Sequence, residues 1–285
     1  MKSFFAEIGR FFKKNVVLLI AAIAAAISAF FVAPSPEYLG YFDYKTLACL
    51  FSMMAIIEAC KNIRLFRITA AFFLRKFTST RKMVMALVAI TFVFSMFIAN
   101  DMALLTFLPF AYLVLKPACS VKLVMYTIVL QNIAANLGGM LTPFGNPQNL
   151  YLYSYFNIPN DEFFSIMIWP FLLSILLLFI CCLFVKDRPI DYRITDYGEL
   201  DAKRAALYAA LFVMAILMVF NVLNYVIGFI IILLIILAAD RKALKNVDYP
   251  LLLTFAMFFI FTGNVSQIES VRQMLSGLAE KSPLL

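Results

Sequence analysis

From Met83 to Lys116 the chain reads MVMALVAITFVFSMFIANDMALLTFLPFAYLVLK. As one straight α-helix this segment would be roughly 50 Å long at about 1.5 Å per residue, whereas the hydrocarbon core of a bilayer is about 30 Å thick. The segment must therefore fold back on itself. Its only strongly polar pair, Asn100-Asp101, marks the apex. Each arm then has fewer than about 18 residues, slightly short of a full crossing. Basic residues stand at both ends, Arg81 and Lys82 before it and Lys116 after it. This pattern reads as a re-entrant helical hairpin entered from the cytoplasm. A full antiparallel pair with its turn outside is the alternative, and charge does not separate the two because both start and end on one side. A second apolar segment follows, VKLVMYTIVLQNIAANLGGMLTPFGNPQNL, and it is broken at Thr142-Pro143-Phe144-Gly145-Asn146-Pro147. Irregular backbone at membrane depth is costly, so such breaks occur where they are buried in protein or line a cavity.

Composition agrees with a chain that lives in lipid. Hydrophobic residues make up 64%, charged residues 14%, and mean hydropathy is +0.94, against roughly 45–50% apolar and about 25% charged in soluble domains. The expected fold class is an all-α polytopic membrane protein. The net charge of +8 does not indicate a nucleic-acid partner, because the basic residues flank apolar spans. There is no histidine, which removes His-ligated metals, His-ligated haem and a His general base. Cys49, Cys60, Cys119, Cys181 and Cys182 show no CxxC spacing, and most fall in apolar stretches, where cysteine packs as a small hydrophobe. No resident cofactor or metal is expected, beyond a coupling Na⁺ or H⁺.

Read in order, residues 2–14 form a basic amphipathic stretch whose Phe4, Phe5, Ile8, Phe11 and Phe12 share one helical face and suit a membrane surface. Spans are expected at 16–32, 45–60, 164–185, 205–222, 225–239 and 249–265, the pair around Asn221 and Asn224 antiparallel. Residues 61–82 carry seven Lys/Arg and read as an interfacial helix. Glu58 stands three residues before Lys61, at ion-pair spacing near the inner end of its span. Three regions follow: 1–82, N-terminal scaffold helices; 83–157, the hairpin and broken helix of a transport site; and 158–285, further transmembrane helices. With the N-terminus in the cytoplasm, the inside segments 1–15, 61–82, 116–122, 186–204 and 240–248 hold 21 of the 24 lysines and arginines, the asymmetry that sets orientation. The expected location is the cell's inner membrane.

The chemistry concentrates at the two breaks. A carboxylate in mid-membrane costs at least about 2.5–3.5 kcal/mol even on the lenient insertion scale. Asp101 is expected to bind a cation, hold a proton or face a water-filled cavity. The arm beginning at Met102 aims backbone N–H groups at the tip, and the arm ending near Ala99 aims carbonyls there, which suits Na⁺ near Asn100 and Asp101. At the second break Pro143 and Pro147 remove two N–H donors, and Gly145 eases the turn. Thr142, Asn146 and Asn149 offer uncharged polar groups. The candidate binding residues are therefore Asn100, Asp101, Thr142, Pro143, Gly145, Asn146, Pro147 and Asn149.

These motifs resemble a family. The run AANLGGMLTPFGNPQNL is similar to the signature of the ion transporter superfamily, which includes divalent anion/sodium symporters, citrate transporters, arsenite permeases and some Na⁺/H⁺ antiporters. FIANDMALLTFLPF is similar to the arsenite-permease hairpin, where an Ala-Asn-Asp tip precedes an apolar run ending in Pro. Dicarboxylate members carry Ser-Asn-Thr at that tip, and Ala99-Asn100-Asp101 departs from it by losing both hydroxyls and gaining a carboxylate. Gly145-Asn146-Pro147-Gln148-Asn149 resembles instead the Gly-x-Pro-x-Asn loop of the anion-symporter and citrate-transporter side. The resemblance implies scaffold helices, a re-entrant hairpin and a broken helix, then an inverted second copy of both. It also implies a homodimer with an elevator-like motion. No apolar run after Phe110 repeats the Asn-Asp tip, since Asn160-Asp161 falls in an outer loop, and nothing after Asn149 repeats the Pro-Phe-Gly-Asn-Pro break. The expectation is the first half of an inverted-repeat transporter, truncated at its C-terminal side, with a second half supplied by another chain as the alternative.

The function these readings point to is secondary active transport of a small anion coupled to Na⁺ or H⁺. A carboxylate such as citrate or a dicarboxylate is the first expectation, and an oxyanion such as arsenite the second. Na⁺/H⁺ antiport is one alternative, with Asp101 alternating between the two ions. A non-transporting membrane scaffold is another. An intramembrane enzyme is disfavoured, because the chain has no His, no HExxH or GxSxG motif and no paired intramembrane carboxylates. The partners expected are the anion, the bilayer and a second copy of the chain.

Overall fold

A computed structural model describes residues 15–116, 119–189 and 199–269, and the N-terminal amphipathic stretch lies outside them, as does most of the segment after Gln267. The described chain is helical: α1 (Val16–Ala29), a 3₁₀ turn (Pro36–Tyr41), α2 (Tyr44–Asn62), α3 (Leu65–Leu74), α4 (Thr80–Ser95), α5 (Asn100–Leu115), α6 (Val121–Gly138), α7 (Pro147–Tyr155), α8 (Asn160–Leu183), α9 (Ala202–Val219), α10 (Tyr225–Ala239), α11 (Arg241–Lys245) and α12 (Tyr249–Gln267). Among the described residues, α6, α8, α9 and α12 are each long and apolar enough to cross a membrane, and the bent pair α2–α3 makes a fifth candidate. The chain is a polytopic membrane protein. Its large exposed side chains, such as Ile166, Trp169 and Leu173 on α8, are those a lipid-facing surface requires.

The helices gather into two compact units. In the first, α1 lies along α12. The contact face of α1 is Leu18, Ala21, Ala25 and Ser28, a spacing of three and four that places small residues on one stripe and lets helices approach closely. Asn264 of α12 is fully buried and its Nδ2 donates to Ser28 Oγ at 3.0 Å. Where Gly263 faces the 3₁₀ turn, a Cβ would fall 2.3 Å from the Tyr41 ring.

The second unit, Ala48–Val247, is built around α2. Every residue from Ser52 to Cys60 is buried, the signature of a helix enclosed on all sides. The sequence suggested an interfacial helix over 61–82. Instead α2 runs on to Asn62 and the chain bends by 61° into α3, which ends at Leu74. The hinge is Arg64, in the left-handed region at φ 58°. Glu58 and Lys61 pair as their spacing suggested, Nζ to Oε1 at 2.6 Å, with Glu58 buried. The end of α2 is tied to the start of α11 by Asn62 Nδ2 donating to Asp240 Oδ2 at 2.8 Å.

A helical hairpin forms, with arms α4 and α5, but its turn is Met96–Ala99 rather than the expected apex at Asn100-Asp101, which instead open α5. The base of α4 is fixed to the strand of chain after α8. Thr80 N–H donates to the Arg188 carbonyl at 2.8 Å, Arg188 N–H donates to Thr80 Oγ1 at 2.8 Å, and Arg81 Nε donates to the Val185 carbonyl at 2.8 Å. The far end of α4 is held by α6. A Cβ on Gly138 would lie 2.2 Å from the Phe92 carbonyl and 2.3 Å from Ser95 Oγ, so only glycine permits this approach. Further on, α9 and α10 form the expected antiparallel pair. The turn between them uses Asn221 at φ 59°, and Asn224 caps α10 by accepting from Val226 N–H at 2.9 Å.

The glycine contact generates a test. Gly138→Ala should lower the unfolding free energy of the purified protein in detergent by about 1–3 kcal/mol, the usual cost of overpacking. Gly40→Ala, with nothing within 4 Å of the added methyl, should leave the thermal midpoint unchanged.

Candidate functional site

The site is assembled from the hairpin turn and the break between α6 and α7. Ser95 ends α4. Ala99 is the N-cap of α5 without a side-chain hydrogen bond, and Asn100 and Asp101 are the first helical residues. The first N–H groups of α5 therefore have no intrahelical acceptor. Asn100 turns toward α6, its Nδ2 donating to Asn136 Oδ1 at 2.8 Å. Asn136 Nδ2 in turn donates to the Asn132 carbonyl at 2.9 Å and contacts Asn132 Oδ1 at 3.3 Å. The result is a row of three carboxamides, with Asn132 and Asn136 exposed along one face of α6. Asp101 is exposed in the first turn of α5 and has no hydrogen bond or ion pair to the described residues. Its charge is oriented favourably against the positive end of the helix, a contribution of roughly 0.3–1 kcal/mol.

The second break is constructed differently. After Gly138 the chain makes a compact loop to Pro147, which opens α7 at the position where its missing N–H costs nothing. Asn146 caps α7, its Oδ1 accepting from Asn149 N–H at 2.7 Å, while its Nδ2 reaches back to the Gly139 carbonyl at 3.4 Å. Asn149 is buried, and its Nδ2 donates to the Met140 carbonyl at 2.9 Å and to the Thr142 carbonyl at 3.5 Å. Thr142, also buried, donates from Oγ1 to the Met96 carbonyl at 2.5 Å. Gly145 passes so close to Gly139 that a Cβ would lie 2.3 Å from the Gly139 carbonyl. Pro143 and Pro147 are buried, and Phe144 anchors the loop edge-on against Phe212 and Phe220.

The sequence-derived residues thus fall into two groups. Thr142, Asn146 and Asn149 use their donors on the loop's own carbonyls and on the hairpin turn. Asn100 and Asp101 remain at the accessible end of α5. Thr142 on the Met96 carbonyl joins the groups, so the turn and the break form one assembly. Four contributors lie outside the candidate list: the Met96 carbonyl, which no residue type signals; Asn132 and Asn136, whose four-residue spacing puts them on one helical face; and Gln131. The last is fully buried between α6 and α4, with Nε2 donating to Thr91 Oγ1 at 2.8 Å.

The citrate transporter family matches residues 6–285. The chain belongs to the citrate transporter family. It is 29% identical over 219 residues to a protein described as an uncharacterized transporter of Methanocaldococcus jannaschii, an alignment covering 76% of this chain and 59% of that protein. It is 25% identical over 278 residues to the inner membrane protein YbiR of Escherichia coli K12, covering 96% of this chain and 72% of YbiR. The chain therefore spans somewhat over half the length of the first relative and nearly three quarters of the second.

Separating the two groups is a stability experiment. Thr142→Val and Asn149→Leu each leave backbone carbonyls without donors and should cost about 1–3 kcal/mol, read as a lowered midpoint of thermal unfolding in detergent. Asp101→Asn removes no hydrogen bond or ion pair to the described residues and should cost no more than its helix-end contribution, at most about 1 kcal/mol.

Proposed function

We propose that this chain provides the substrate-binding half of a secondary active transporter for a small anion, driven by Na⁺ or H⁺. The observation that carries this reading is the joining of a helix-hairpin turn to a helix break through Thr142 and the Met96 carbonyl, in a chain of the citrate transporter family. Carboxylates such as citrate or a dicarboxylate are the first substrate class, and oxyanions such as arsenite the second. The unoccupied N–H groups at the start of α5 and the carboxamide row of Asn100, Asn136 and Asn132 can donate to a carboxylate. Asp101, accessible and without a protein partner among the described residues, is assigned to the coupling cation, with Asn100 beside it. Thr142, Pro143, Gly145, Asn146, Pro147 and Asn149 hold the second wall of the site in shape. The protein acts as a transporter and not as an enzyme, in an inner membrane as its relative YbiR is named, with its N-terminus in the cytoplasm and a second copy of itself as partner. The carboxylate of Asp101, without an ion pair among the described residues, also fits Na⁺/H⁺ antiport, in which no anion would move.

Uptake by proteoliposomes of the full-length protein decides between these readings. Radiolabelled citrate should accumulate when a Na⁺ or proton gradient is imposed. Asp101→Ala should reduce gradient-driven uptake by about tenfold or more, the scale of losing one charge-assisted contact. Uptake at the parent rate in Asp101→Ala would remove Asp101 from the coupling role. Internal pH change on Na⁺ addition without anion uptake would establish antiport.

A further inference from the structure

The 61° bend between α2 and α3 opens a cleft of about 240 Å³ against the outer face of α5. Its two sides differ in chemistry. One carries Lys61, Arg64 and Arg67, and the other carries Leu105, Thr106 and Phe110. Lys61 is committed to Glu58 at 2.6 Å. Arg64 and Arg67 are exposed, and neither meets a carboxylate among the described residues. The cleft therefore holds about two uncompensated positive charges on planar forks suited to bidentate phosphate binding. Arg64 adopts the left-handed backbone at φ 58°, which interrupts the helix and puts its side chain and that of Arg67 on the rim of one cleft. Along α5, Leu105 is 65% exposed and Leu113 is 56% exposed. In a membrane protein such a strip faces acyl chains.

We infer that this cleft binds the headgroup of an anionic phospholipid, with the phosphate between Arg64 and Arg67 and the acyl chains running down the apolar face of α5. Two features favour a lipid over a soluble phosphate. The charged wall is continuous with an exposed apolar strip, and basic pockets between membrane helices suit anionic headgroups. The volume is below the roughly 300–1,000 Å³ of a pocket for a drug-sized ligand, which fits one headgroup with its chains outside. This inference does not depend on which solute the protein carries. The bend that forms the cleft rests on α5, so the bound lipid lies against the arm that begins with Asn100 and Asp101.

The test uses the purified full-length chain, stripped of lipid and titrated in neutral detergent with dioleoylphosphatidylglycerol, dioleoylphosphatidylethanolamine or inorganic phosphate. Binding is read by native mass spectrometry. The anionic phosphatidylglycerol should bind at least about fivefold tighter than the zwitterionic lipid, and the preference should fade in high salt. Arg64→Gln with Arg67→Gln should weaken its binding by about 25-fold, at roughly fivefold per charge near an anionic lipid. Arg75→Gln with Lys76→Gln, two basic residues that do not line the cleft, should change it less than about twofold. Equal binding of the two lipids by the parent protein would overturn the inference, as would unaltered binding in the Arg64/Arg67 variant. Displacement of the lipid by millimolar inorganic phosphate would reassign the cleft to a soluble anion. If the double variant does not fold, the parent protein's lipid preference and its salt dependence decide the matter alone.

Discussion

A helix broken inside a membrane leaves carbonyls and N–H groups that no water will satisfy, and the rest of the second unit depends on how they are met. Between α6 and α7 they are met by side chains of the break itself. Asn149 covers the carbonyls of Met140 and Thr142, Asn146 covers Asn149 N–H and reaches Gly139, and the two prolines withdraw donors that would otherwise need partners. Thr142 carries a hydrogen bond outward, to the Met96 carbonyl of the hairpin turn. One hydroxyl thus links two irregular segments that lie far apart in sequence.

This economy separates shape from binding. A loop that satisfies itself is rigid and keeps few donors for a ligand. Open hydrogen-bonding capacity lies instead at the start of α5, where the helix N-terminus is uncapped by any side chain and Asp101 has no protein partner among the described residues. The carboxamides of Asn100, Asn136 and Asn132 extend that surface along α6. The ion pair of Glu58 and Lys61 does a different job. It neutralises a buried carboxylate in α2, and Lys61 Nζ lies 4.0 Å from Met102 Sδ, so the pair also packs against the first turn of α5.

Much of this was readable in the residues. The fold-back near residue 100 follows from length against bilayer thickness, although the turn itself falls at Met96–Ala99, just before the polar pair, and the break at 142–147 follows from two prolines and a glycine in an apolar run. Glu58 and Lys61 announce their pairing by spacing. What escaped the sequence has common physical causes. The bend at Arg64 depends on one residue in the left-handed region, which neither Gly nor Asn signals there. Asn264 on Ser28 joins residues 236 apart in sequence, and no local pattern specifies such a contact. The sequence also lists Thr142, Asn146 and Asn149 as available polar groups. Only the fold shows that their donors are already taken, because carbonyl positions such as Met96 and Met140 carry no sequence signal.

The glycine contact between α4 and α6 has a mechanical consequence. Phe92 and Gly138 meet backbone to side-chain-free backbone, Gln131 bonds Thr91 deeper in the same seam, and Thr142 fastens the turn beyond it. Three attachments along one seam leave no plane on which the helices could slide. The hairpin turn and the break are therefore packed as one body, pinned at three heights along a single seam.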